Sequence, residues 1–254
     1  TDHLWCIHAW VEHCFAAAFL GGKEATLDWV MAELKTRQLA DGSLHGATLG
    51  SSWLFPDLWL SMRAVHLGNW AALRVYKAQK GPDMAKLANF LKSLDTTKLS
   101  PGTQSYLAYV LALAGQTSPK RLAEVEALGD KLGLLGYGYL AQSWLALKNK
   151  DAAKRVYDRS KNFVLIGTQS VDIKETYEAR DYWSSMVAEL ALLMKNALEL
   201  GEDMGFVQRV AGSLNRNTRY WYSRNDDVST ILAFAPLIDA ESSGGAMQAQ
   251  VSLG

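Results

Sequence analysis

The residue types that could do chemistry are few and scattered. His8-Ala9-Trp10-Val11-Glu12-His13 carries the components of a zinc-binding helix. Helical zinc signatures, however, space their histidines at i and i+4. Here the spacing is i, i+5, which turns the two rings about 140° apart on a helix. Two separately satisfied histidines are therefore expected, and no metal. Cys6 and Cys14 are the two cysteines. On one helix they would stand about 12 Å apart along the axis, whereas a disulfide needs Cα atoms within about 7 Å. They are expected not to pair, so cysteine usage leaves the redox compartment open. Among the acids, Asp41 sits in an Asp-Gly turn, and Asp226-Asp227 reads as an N-terminal charge pair on a helix. A protonating cyclase motif such as D-x-D-D is missing from the sequence. His45, just after the Asp-Gly turn at a plausible ring mouth, is a candidate funnel residue, although a loop histidine is most often simply solvated. Tyr220-Trp221-Tyr222, with Trp53 and Trp59, could line a funnel for sugar or protein, although aromatics at helical spacing are more often core. Neither a phosphate-binding glycine loop nor a Ser/His/Asp set can be nominated.

Whatever these residues do depends on the elements that carry them. The chain has 254 residues, 49% of them apolar and 20% charged, enough for a large core. Lys+Arg and Asp+Glu both number 26. Without a basic excess, nucleic acid is not an expected partner. The longest apolar runs, Cys14 to Leu20 and Ile231 to Ile238, fall far short of the roughly 20 residues of a membrane helix, so this domain is expected to make no membrane contact. The sequence starts at Thr1, and Ser242 to Gly254 are small and polar without helical period. The expectation is a domain of residues 1–241, with 242–254 a tail or the start of a following domain of a longer protein.

Leu27, Val30, Met31 and Leu34 recur at i, i+3, i+4, i+7, one face of a helix. Gln38 to Ser43 breaks the period with an Asp-Gly turn, and the period resumes behind Pro56. Variations on this plan fill the chain. Helices are predicted over Asp2–Leu20, Ala25–Arg37, Phe55–Leu67 (ended by Gly68), Trp70–Gln79, Pro82–Leu94 and Thr103–Ala114. Others follow from Ser118-Pro119 to near Gly133, then over Tyr137–Leu147, Lys150–Lys161, Ala179–Leu200, Glu202–Leu214 and Val228–Ile238. Phe163 to Ile173 is β-branched and reads as extended, and Asn215 to Asn225 as a loop. About twelve helices in alternating pairs make an all-α repeat pattern. The first helix is apolar nearly all round, as is Ser105 to Ala114. Such dry helices suit the inner layer of a closed ring, an α/α toroid of alternating inner and outer helices.

Four stretches carry a family resemblance. Gln38-x-x-Asp41-Gly42-Ser43, before a Trp-rich helix, resembles the Q-x-x-D-G turn of thioester-containing domains of α2-macroglobulins and complement proteins, and also a repeat signature of terpene cyclases. Gly136-Tyr137-Gly138-Tyr139-Leu140-Ala141-Gln142-Ser143-Trp144-Leu145-Ala146-Leu147, followed by Asp151-Ala152-Ala153, is similar to a helix pair of the bacterial α2-macroglobulins. Arg180-Asp181-Tyr182-Trp183-Ser184-Ser185 to Leu193 resembles their long late helix. Tyr220-Trp221-Tyr222-Ser223 resembles the stretch before their last helix, but Arg224-Asn225-Asp226-Asp227 stands where that family has T-Q-x-N.

The resemblance implies a site. In that family the Cys and Gln of C-x-E-Q, one helical turn apart, form an internal thioester. The thiolate attacks the Gln carboxamide, ammonia leaves, and the acyl group becomes an electrophile. The matching stretch here is Cys6-Ile7-His8-Ala9. Ala9 has no carboxamide, so this motif can form no thioester. The resemblance therefore implies a non-enzymatic, degenerate domain of a bacterial α2-macroglobulin-like protease inhibitor, without cofactor or metal. Its partners would be proteases, met through the full-length parent, and neighbouring β-domains of the same chain. Its location would be periplasmic or extracellular, including anchorage of the parent at the inner membrane as a lipoprotein. Two readings compete. An α/α-toroid enzyme (terpene cyclase, polysaccharide lyase or glycoside hydrolase) predicts paired carboxylates facing one cavity. A tetratricopeptide-like scaffold, which Gly136 to Asp158 would also fit, predicts an open superhelix.

Overall fold

Two kinds of helix alternate along the chain. The computed structural model describes residues 7, 10–12, 14, 24–46, 56–73, 81–174, 185–217 and 228–234. After α1 (Glu24–Thr36) come four helices of largely apolar sequence: α2 (Leu58–Leu73), α4 (Pro101–Leu113), α6 (Gly133–Ala146) and α8 (Met186–Leu200). Between and after them stand four amphipathic helices: α3 (Met84–Ser93), α5 (Pro119–Glu126), α7 (Lys150–Ser160) and α9 (Met204–Asn217). The difference in sequence dictates the layer. In α4 every residue from Ser105 to Ala112 is buried, leaving no solvent face over those two turns. In α7 the buried set is Ala152, Ala153, Val156, Tyr157 and Ser160, a single stripe.

Packing follows from this. The apolar helices lie side by side in the order α2, α4, α6, α8, and each amphipathic helix covers the apolar ones that flank it. Ile7, Val11 and Cys14, helical and buried, share one core with α1 to α4 and with Val228 and Leu232. Ala233 belongs to the other core, built on α5 to α9. The last helical segment, 228–234, thus contributes to the cores of the first and the final helices, as the closing member of a ring must. The fold is an all-α helical toroid, not an open superhelix.

Five helix starts carry side-chain caps. Asp83, Ser100, Ser118, Asn149 and Ser185 each accept a backbone N–H from the first turn they precede, and such caps contribute about 1 kcal/mol apiece. Several predicted boundaries also move. Ser185 is extended and caps the helix that starts at Met186, while residues 179–184 of the predicted Ala179–Leu200 helix lie outside the described residues. Gly68 does not end its helix: α2 runs on to Leu73, and Gly68 is where Met84 of α3 leans in, its Cε 2.7 Å from the position of an added Cβ. The predicted helix from Ser118 ends at Glu126, and Gly129–Leu132 is a 3-10 turn leading into α6 at Gly133, four residues before the predicted start. Asn215 lies in α9, not in a loop. The extended stretch is a hairpin, β1 (Val164–Ile166) antiparallel to β2 (Val171–Ile173). It is tied to α9 where the Val171 N–H donates to Ser213 Oγ at 2.8 Å.

Candidate functional site

An apolar helix that carries a lone charge must bury it, and a buried charge is tolerated only when paired. The apolar helices here carry several, and the ring brings them together. Arg63 of α2 donates from Nε to Glu12 Oε1 at 2.6 Å and from Nη2 to Oε2, a bidentate fork onto the first helix. The two side chains are 4% and 8% exposed. The guanidinium also lies over the Trp59 ring, 5.5 Å from its centroid, and Nη1 donates to the Tyr106 hydroxyl of α4 at 3.3 Å. Burial works against the Arg63 charge, but Glu12 overrides it and holds the guanidinium firmly protonated. The Tyr106 hydroxyl in turn lies 3.0 Å from His66 Nδ1. Burial, then the charges of Arg63 and Lys195, holds His66 well below the ordinary imidazole range. A neutral ring facing this hydroxyl accepts its proton at Nδ1 and carries its own on Nε2. Tyr106, Tyr109 and Tyr139 pack ring to ring across α4 and α6. Burial raises all three phenols, Tyr139 to about 12.

A second polar knot joins α6 to α8. Gln142 Nε2 donates to Asn196 Oδ1 at 2.8 Å and to Glu199 Oε2 at 2.5 Å, while its Oε1 accepts from Lys195 Nζ. Lys195 and Glu199 pair at 2.8 Å, one turn apart. Asn196 Nδ2 donates to the Gly138 carbonyl at 3.1 Å. Gly138 permits this approach, because a Cβ there would lie 2.6 Å from Leu192 Cδ2. The glycines of the Gly136-Tyr137-Gly138 stretch are therefore contact points between ring helices: Ser105 Oγ of α4 donates to the Gly136 carbonyl at 2.5 Å.

The Q-x-x-D-G turn is a lock between layers. Gln38 Nε2 donates to the carbonyls of Gly42 and Asp83 at 3.1 and 2.9 Å, and its Oε1 accepts the Asp83 N–H at 2.8 Å. Asp41 Oδ1 accepts from Ser43 N and Oγ at 2.9 and 2.7 Å, a local turn bond and not a poised acid. Gly42 has φ +93°, and a Cβ there would stand 2.5 Å from the Lys86 carbonyl oxygen. Each motif residue thus has a structural reason, which ties the end of α1 to the start of α3.

The other candidates fall as follows. His45 is buried, 6% exposed, not solvated as expected. Its N–H donates to the Arg37 carbonyl at 3.2 Å, it bridges Pro56, and its Nδ1 has no partner. Trp59 packs on Tyr106 at 5.1 Å between centroids, part of the core wall and not of an open funnel. Cys14 is buried, and burial pushes its thiol up to about 12. Cys6, Ala9, His8, His13, Trp53, Trp221, Tyr222, Asp226 and Asp227 lie outside the described residues. Among the described residues no three His, Cys, Asp or Glu side chains gather so as to hold a metal ion, and no helix is long and apolar enough to cross a membrane. Glu12 and Glu199 are both engaged by cations, so neither is an unengaged acid or base. The sequence reading passed over Arg63, His66 and Lys195, weighed Glu12 only as part of a zinc stretch, and met Gln142 only within the Gly136–Leu147 resemblance. Their signal was available: a few charged or polar residues set within helices of largely apolar sequence.

The sequence matches no known family model and no curated protein. Solved structures do share the fold. The native α2-macroglobulin from Escherichia coli, spanning domain MG7 to the C-terminus, superposes with a TM-score of 0.68 at 16% identity, over 92% of this chain and 40% of that chain. The Salmonella α2-macroglobulin reacted with methylamine gives 0.68 at 15% identity, over 91% of this chain and 16% of that one. The Escherichia coli protein activated by porcine elastase gives 0.66 at 18%, over 92% and 22%. The chain thus spans well under half the length of the structures it resembles, and its fold is that of a region of bacterial α2-macroglobulins.

Proposed function

We propose that this chain is the toroidal domain of a bacterial α2-macroglobulin-like protein in which the thioester is lost. The observation that carries this reading is the fold shared over 92% of the chain with an α2-macroglobulin region. The Gln38-Asp41-Gly42 lock and the Gly136–Gly138 contacts give the resembling motifs structural roles within that fold. The sequence Cys6-Ile7-His8-Ala9 supports the loss, because Ala9 offers no acyl group to the thiol. The domain acts without catalysis, packing against neighbouring β-domains of the same chain, while the full-length parent meets proteases in the periplasm or outside the cell. Cleavage of the parent changes its conformation, and the protease is held non-covalently.

The test is to incubate the full-length parent with an endoprotease. The expected result is a complex on native gels that keeps activity on small substrates, loses it on large protein substrates, and comes apart in denaturant. No complex at all would overturn the trapping role, and a protease adduct that survives denaturant would overturn the loss of the thioester. The enzyme reading gains no support from the ring centre, where Glu12 and Glu199 are held by Arg63 and by Lys195 with Gln142.

A further inference from the structure

The outer surface holds a cavity of about 300 Å³ where the end of α3, the following turn and the starts of α4 and α5 meet. Leu94 and Val125 are its aliphatic lining, and Lys120, Arg121 and Glu124 its charged lining. Arg121 is half-buried, yet its guanidinium makes no hydrogen bond or ion pair among the described residues. The nearby carboxylate Glu126 is taken by Arg155 and Arg159 at 3.0 and 3.2 Å. Burial weakens the Arg121 charge, and Glu124, three residues on, offsets this only in part. The start of α5 is not what would hold a ligand. Its Ser118 cap already accepts the Arg121 N–H at 3.3 Å, and Pro119 has no N–H. The opportunity lies in the side chains: a guanidinium withdrawn from water without its acceptor, beside an exposed ammonium, over two aliphatic residues.

We propose that this cavity is a binding site for an acidic peptide segment, taking a glutamate side chain with its methylenes on Leu94 and Val125 and its carboxylate between Arg121 and Lys120. The site shares no residue with the Arg63 and Gln142 clusters and owes nothing to the protease-trapping reading, so either can fail alone. Glu124 is its natural competitor and sets the affinity from within.

The test uses the whole chain and an acetylated, amidated Ala-Glu-Glu-Ala peptide, followed by amide chemical shifts. The expected result is perturbation confined to residues 94–96, Gln104 and its neighbours, and 118–125, absent with the Ala-Gln-Gln-Ala counterpart. Arg121→Gln should weaken binding by roughly fivefold or more, and Glu124→Gln should tighten it. Equal shifts with both peptides, shifts elsewhere, or an Arg121→Gln variant that binds unchanged would overturn the proposal. The Arg121 side chain makes no hydrogen bond or ion pair among the described residues, and an amide spectrum of the free variant that matches the parent away from residue 121 checks that its fold is intact.

Discussion

The guanidinium of Arg63 forks onto the carboxylate of Glu12 across 51 positions of sequence, with both side chains sealed from water. The pair fastens the helical residues 10–12 to α2, and Tyr106 extends it to α4. Removing one partner leaves an uncompensated buried charge. Arg63→Met should therefore lower unfolding stability by about 3–5 kcal/mol, and the double variant with Glu12→Leu should recover much of that loss. Urea melts of the two single variants and the double one check this. Additive losses would show that the two groups are not coupled.

His66 makes the ring centre sensitive to acid. Its folded pKa is depressed well below 6.5, chiefly by burial and then by Arg63 and Lys195. Below pH about 6.5 the unfolded chain takes up a proton that the folded chain refuses. Stability is thus fully present above that pH and falls as pH drops through the window beneath it, by up to about 1.4 kcal/mol per pH unit. A stability–pH curve measured between pH 7 and 5.5, above most carboxylate titration, should flatten in His66→Gln. The same slope in both proteins would assign the acid sensitivity elsewhere.

The lock at the Asp-Gly turn should be costly to break. Gly42→Ala places a Cβ at φ +93° against the Lys86 carbonyl and should destabilise by about 2 kcal/mol or more. Gln38→Ala removes bonds to Gly42 and Asp83 and should cost about 1–3 kcal/mol. Thermal melts read both, and wild-type values would mean that the turn does not hold α1 to α3.

Cys14 should be silent to a thiol reagent in the native protein and react once the chain is unfolded. It is buried, and its thiol is pushed up to about 12, so the reactive thiolate is scarce at neutral pH. A native thiol count that includes Cys14 would contradict its placement. A hidden native thiol is therefore no sign of a thioester in this protein.

The alternation of dry and amphipathic helices was plain in the sequence, because a helix without a polar face has only one layer to occupy. The boundaries were less so. Gly68 reads as a stop when only the local chain is considered, yet it sits mid-helix because α3 crosses there. Gly133 likewise reads as a helix end, while the structure starts α6 there and uses the Gly136 carbonyl for contact with α4. The ring centre escaped the sequence reading for a different reason. Glu12, Arg63 and Tyr106 come from three helices, and only closure of the ring brings them within hydrogen-bonding reach. His45 was expected in solvent because loops usually are, but the bridges that Gln38 and His45 make to Leu44 and Pro56 fold this loop inward.

Loss of the thioester in an α2-macroglobulin-like fold is tested most directly by the intact mass of the native full-length parent, before and after methylamine, with thiols counted in denaturant. The expected result is the mass of the sequence, unchanged by methylamine, with both Cys6 and Cys14 titrating in denaturant before any treatment. A mass lower by one ammonia that rises on methylamine treatment would contradict the account and require another acyl donor for Cys6 in place of Ala9.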